Sequence, residues 1–96
     1  MLKYATNVRF LVKEGEMDAC LNAAKSLPNC GELHCYWYQT GDNALAVNSI
    51  FESEEALMAA RPKMIENLNQ IRHLLKEISP EFGITNPVSG PIFDEK

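Results

Sequence analysis

Residues 33–52, LHCYWYQTGDNALAVNSIFE, decide the fold. Leu33 to Thr40 carries side chains suited to a pleated sheet and runs into a Gly41-Asp42-Asn43 turn. Ala44 to Glu52 then returns as a second strand, so the stretch reads as a β-hairpin. Neither face of this hairpin becomes polar: Leu33, Trp37, Leu45, Val47 and Phe51 share one parity, while Tyr36, Ala46 and Ile50 occupy the other. A sheet that is apolar on both sides needs a cover on both.

Upstream, Lys3 to Lys13 (KYATNVRFLVK) is β-branched and aromatic and reads as the first strand, broken by Gly15. Met17, Cys20, Leu21, Ala24 and Leu27 follow at helical spacing, predicting a helix from about Glu16 to Leu27, with Pro28 to Gly31 as its exit. Downstream, Ser53 is placed to cap a helix whose first turn holds Glu54 and Glu55, which complement its positive end. Pro62 predicts a kink or restart there. The stripe Met64, Leu68, Ile71, Leu75 and Ile78 carries the second helix on to Ser79-Pro80. The tail from Ile84 to Phe93, interrupted by Pro87, Gly90 and Pro91, allows a short edge strand.

The resulting order, β-α-β-β-α-β, is an α+β ferredoxin-like split unit in which two helices cover one face of a four-stranded antiparallel sheet. Leu11 is expected on the Trp37 parity and Phe10 on the Tyr36 parity. With no helix left for the second face, the economical cover is a second copy of the chain, sheet against sheet around a two-fold axis. A homodimer is therefore expected, with Trp37 between the sheets as an aromatic anchor.

Composition narrows the function. The 96 residues suit one domain, 46% are apolar and 23% charged, and the net charge of −4 repels a phosphate backbone, which excludes nucleic acid as a partner. No window holds the roughly 18 unbroken apolar residues of a membrane helix. Cys20, Cys30 and Cys35 lack zinc-ligand or CxxC spacing, so neither a disulfide framework nor a metal site is expected. Reduced, buried thiols in a cytoplasmic protein fit better. The sequence has no Rossmann fingerprint, P-loop, GxSxG elbow or HExxH pair.

Several segments are similar to the dimeric α/β barrel superfamily, in particular to small antibiotic-biosynthesis-monooxygenase-like proteins. They are Val12-Lys13-Glu14-Gly15 before the first helix, Pro28 with Gly31 before the second strand, and the Ser89-Gly90-Pro91-Ile92 ending. Phe51-Glu52-Ser53-Glu54-Glu55-Ala56 stands where that family often shows Trp-x-Ser-x-Glu-Ala. The resemblance implies a homodimeric barrel with a pocket in each subunit between helices and sheet. Its members include cofactor-independent monooxygenases acting on aromatic polyketide-like molecules, haem-degrading enzymes and proteins of no known activity. The haem-degrading pattern is not met: Val8 stands where that branch has Asn, Asn7 is displaced onto the opposite face, Ala60 replaces its Trp, and His73 is off the expected position.

Among chemically useful side chains, His73 lies opposite the Met64–Ile78 stripe and is read as solvated, while Asn67 and Arg61 flank the stripe at a pocket rim. Alternation groups His34, Tyr36 and Tyr38, and with Asn48 and Tyr4 they are expected to form an aromatic pocket with a few polar handles on the helix-covered side. Alternation leaves open which parity faces the helices; the resemblance favours the one containing Val8. Cofactor-free oxygenation of a small aromatic or quinol-like compound needs an apolar cavity, hydrogen bonds for the substrate anion and a proton relay. For that chemistry Tyr36 and His34 are the expected catalytic groups, Asn48 the orienting amide, and Tyr4, Tyr38 and Asn67 further substrate contacts; no cofactor is called for. The alternative is a dimeric binding or structural protein in which the rings merely fill the core.

Overall fold

In the computed structural model, which describes residues 2–96, β1 (Tyr4–Val12) is the central strand. It runs antiparallel to β3 (Ala44–Phe51), which pairs on its far side with β2 (His34–Gly41). The other edge of β1 is shared by two short strands, β4 (Leu75–Lys76) beside Leu11 and Val12, and β5 (Asn86–Pro91) beside Tyr4 to Arg9. The sheet order β2-β3-β1-β4/β5 is the ferredoxin-like order, with the fourth position divided between two segments. Helices α1 (Met17–Lys25) and α2 (Glu54–Ile71) lie on one face.

The local signals explain where the elements start. Gly15, at φ +80°, adopts a left-handed conformation in the turn between β1 and α1. Ser53 is extended and its hydroxyl accepts a hydrogen bond from the Ala56 amide, as expected of a cap. Pro62 does not restart the helix; α2 passes through it without a break. Pro62 cannot donate to the Met58 carbonyl, but both residues are exposed, so water can satisfy that oxygen. Pro62→Ala is accordingly expected to raise stability by about 1–3 kcal/mol, read from the urea midpoint at unchanged slope.

The end of α2 departs from the stripe. The helix stops at Ile71, a single 3₁₀ turn spans Arg72–Leu74, and Leu75 is a strand residue paired with Val12 rather than a further helical position. No local breaker marks this point. The gain is that Leu74 and Leu75 both enter the core, at 8% and 3% exposure, while the Lys13 amide donates to the Leu74 carbonyl at 2.9 Å. On a continued helix the two side chains would point about 100° apart, whereas the 3₁₀ turn and the strand bring both to the core. Ile78 and Ser79 belong to a loop closed by Gly83, not to the helix.

The main core joins Phe10, Val12, Leu45 and Val47 of the sheet to Cys20 of α1 and Ile71 of α2. A second cluster gathers Phe51, Leu57 and Ala60, with Tyr4 and Met64 against it. Phe10 therefore lies on the helix side with Leu45, and Leu11 on the opposite side, correcting the expected assignment of the first strand. The reason is register. Tyr4 pairs with Phe51 and Phe10 with Leu45, so even positions of β1 share a face with odd positions of β3. That offset is set through the α1 crossover and has no local sequence signature.

The other face of the sheet carries Leu11, Tyr36, Tyr38, Ala46, Ile50 and Val88, and no element of the described residues covers it. Tyr36 is 52% and Val88 60% exposed. At its centre the Asn7 amide nitrogen donates to the Asn48 side-chain oxygen and to the Tyr38 hydroxyl, the latter at 3.2 Å. Among the described residues no helix is long and apolar enough to cross a membrane.

Candidate functional site

A cavity of about 590 Å³ opens between the sheet and the two helices. Its floor is Val8 and Phe10 of β1, Trp37 of β2 and Val47 of β3, neighbours across the sheet because Val8 pairs with Val47 and Val47 with Trp37. The Trp37 ring stacks on Phe10, with centroids 5.6 Å apart and planes inclined by 10°. Both rings line the cavity. Leu27 closes one side from the segment after α1, and Met64, Leu68 and Ile71 close the other from α2. The volume lies within the 300–1,000 Å³ typical of small-molecule sites and is ample for a ring compound.

Polar groups sit at the edge of this pair. Thr6 and Ser49 face each other on paired strands, with Cys35 beyond Ser49. The Thr6 hydroxyl donates to the Val88 carbonyl at 3.3 Å and the Ser49 hydroxyl to the Cys35 sulfur at 3.5 Å. The first bond is long and the second ends on sulfur, a weak acceptor, so a better acceptor on a ligand competes for either hydroxyl. At the mouth, the Asn67 amide donates to the Pro28 carbonyl at 3.0 Å and to the Cys30 sulfur at 3.2 Å, pinning the loop after α1 against α2. Arg61 and Glu32 complete the rim with opposite charges.

The expected site residues divide between the two faces of the sheet. Only Asn67 lines the cavity. His34, Tyr36, Tyr38 and Asn48 do share a face, as alternation required, but it is the uncovered one. Tyr4 is on the helix side, packed near Phe51, where a hydrogen bond to the Glu54 carboxylate pushes its hydroxyl above the ordinary phenol range. Trp37, expected between two sheets, faces the helices instead. Both displacements follow from the β1–β3 register: the parity containing Val8 is the parity of Trp37, not of Tyr36. Thr6, Cys35, Trp37 and Ser49 line the cavity instead; the resemblance favoured the parity containing Val8, but the expected register had set Tyr36 on that parity. His73 is exposed in the 3₁₀ turn, in line with its solvated reading.

The cysteines divide by environment. Cys20 is fully buried, in line with a structural thiol, whereas Cys30 is half-buried, Cys35 is exposed, and both line the cavity. The expectation of three buried thiols is thus corrected for two of them, because the loop after α1 and the start of β2 border the open space of the cavity instead of a packed core. Burial pushes the Cys30 thiol up, the Glu32 carboxylate adds to this, the Lys63 ammonium opposes it, and Cys35 and Glu66 raise it further. The thiolate is the nucleophile, so alkylation of Cys30 is expected to accelerate with a midpoint above that of a free thiol. Peptide mass spectrometry after timed iodoacetamide exposure across a pH series measures it.

No family model matches the chain, and no curated protein matches it. Solved structures do. A protein of unknown function from Nitrosomonas europaea superposes with a TM-score of 0.77 at 22% identity, over 100% of this chain and 94% of that one. A candidate antibiotic biosynthesis monooxygenase from Chloroflexus aurantiacus superposes with a TM-score of 0.69 at 17% identity, over 98% and 96%. A dimeric ferredoxin-like protein of unknown function from Thermobifida fusca does so with a TM-score of 0.68 at 13% identity, over 95% and 92%. The chain has the ferredoxin-like fold of these proteins, and the resemblance read from its sequence is matched at the level of fold.

Proposed function

We propose that this chain forms a homodimer through its uncovered sheet face and binds a small aromatic or quinol-like compound in the cavity under its helices, oxygenating it without metal or flavin. The observation that carries the reading is the cavity itself: about 590 Å³, floored by a stacked Trp37–Phe10 pair and edged by hydroxyls. A planar ring laid against Trp37 exchanges water for an aromatic face. A phenol oxygen at the Thr6–Ser49 edge would find two hydroxyls able to donate to it, which favours the anion that must give an electron to oxygen. Trp37, Thr6 and Ser49 therefore replace His34, Tyr36 and Asn48 as the groups assigned to the ligand. The dimer is supported by the apolar second face and by the dimeric description of a protein of the same fold.

Binding without turnover is the second reading, and one observation favours it: both histidines lie outside the cavity lining, so no imidazole is at hand to move a proton. Trp37 is the chain's only tryptophan, which makes its fluorescence a direct report of ligand entry. Titration with a panel of phenols and quinols is expected to change that emission for at least one of them, with oxygen consumption under the same conditions. Ser49→Ala is expected to slow consumption by 10-fold or more, on the order of one lost hydrogen bond to a charged group. Emission that changes while oxygen is not consumed selects the binding protein; emission indifferent to the whole panel removes both readings of the cavity.

A further inference from the structure

We infer that Cys30 and Cys35 form a dithiol site in the cavity wall that a hydroperoxide oxidises to an intramolecular disulfide. Both residues line one cavity, and each sulfur is held by a donor from a different element, Cys30 by the Asn67 amide of α2 and Cys35 by the Ser49 hydroxyl of β3. Five positions separate them. Cys35 is in regular strand pairing with Ser49, whereas Cys30 lies in the irregular loop before it, so closure falls to the loop, which gives up the Asn67 contacts to the Pro28 carbonyl and the Cys30 sulfur as it moves. Gly31, at φ +93° with no atom within 4 Å of a notional Cβ, gives that loop a permissive hinge in open space. Among the described residues no group of three or more His, Cys, Asp or Glu is placed to hold a metal ion.

The step balances with the peroxide as oxidant. The exposed Cys35 sulfur attacks the distal oxygen, the O–O bond breaks, and an alcohol or water leaves with a sulfenic acid left on Cys35. The Cys30 sulfur then displaces that oxygen as water, forming the S–S bond. Overall two thiols lose two electrons and two protons, and the peroxide is reduced to water and an alcohol, or to two waters. Cys20, fully buried in the core, has no part in the reaction and serves as an internal control. The inference does not depend on which ring compound the cavity takes.

The test uses the full chain and hydrogen peroxide near stoichiometry. The expected product is two hydrogens lighter, yields a peptide linked through Cys30 and Cys35, leaves Cys20 alkylatable after unfolding, and reverts with dithiothreitol. Trp37 emission should follow both directions, because its ring lies on the same wall. Cys30→Ser should stop at a Cys35 sulfenic acid, trapped by dimedone, and Cys35→Ser should lose at least 10-fold in peroxide sensitivity; circular dichroism confirms that each variant is folded. Oxygen added to single cysteines of the parent without a link, a disulfide between subunits through Cys35, or no reaction at matched peroxide would each overturn the site.

Discussion

Tyr36→Glu is expected to yield a folded monomer with a working cavity, and Trp37→Leu a dimer that binds its ring compound roughly tenfold more weakly. The two residues are adjacent in sequence and point to opposite faces of β2. Tyr36 stands half-exposed on the sheet face that has no cover, beside Asn7, Asn48, Ile50 and Val88. An unpaired charge pressed between two sheets costs about 3–5 kcal/mol. That weakens the dimer by roughly two to four orders of magnitude, since each 1.4 kcal/mol is tenfold. Trp37 has no part in that surface. Its removal takes away the aromatic stack shared with Phe10, and an aromatic contact of this kind is worth about 0.5–1.5 kcal/mol beyond the area it buries. Sedimentation velocity reads the first variant and calorimetric titration with the best phenol or quinol reads the second. A Tyr36→Glu protein that remains dimeric at micromolar concentration would place the interface elsewhere.

Phe51→Ala should cost about 3–5 kcal/mol, among the largest effects of any single truncation in this chain. Phe51 is 0% exposed and anchors the second cluster, tying the end of β3 to Leu57 and Ala60 of α2. A domain of this size is stable by about 5–15 kcal/mol, so the variant is marginal and its urea midpoint falls steeply. Phe93, at 92% exposure, is the matched control: Phe93→Ala should stay within about 0.5 kcal/mol of the parent. If the two variants unfold alike, the second cluster is not a core.

Much of the fold was legible because its signals are local. The Gly41-Asp42-Asn43 turn, the Ser53 cap and the period of the α1 stripe each reside within a few residues, and each element forms within a few residues of where those signals put it. Within the hairpin even the pairing was legible, since Tyr36 does share a face with Ala46 and Ile50, and Trp37 with Val47. The end of α2 was not legible. Leu75 and Ile78 continue the helical spacing, yet Leu75 gains more by pairing with Val12 at the sheet edge than by extending a helix past its core.

The site was lost at one joint. Which face of the hairpin meets the helices depends on whether Phe10 stands opposite Leu45 or one residue away, and a one-residue shift inverts every side chain of the strand. The sequence by itself determined the order of elements, the two apolar faces of the sheet and the need for a second cover, because these depend on periodicity and composition. Only the tertiary structure decided that Trp37, Thr6 and Ser49 face the cavity while His34, Tyr36 and Tyr38 face outward. That choice belongs to the β1–β3 register, which is set by packing across the α1 crossover between residues some forty positions apart.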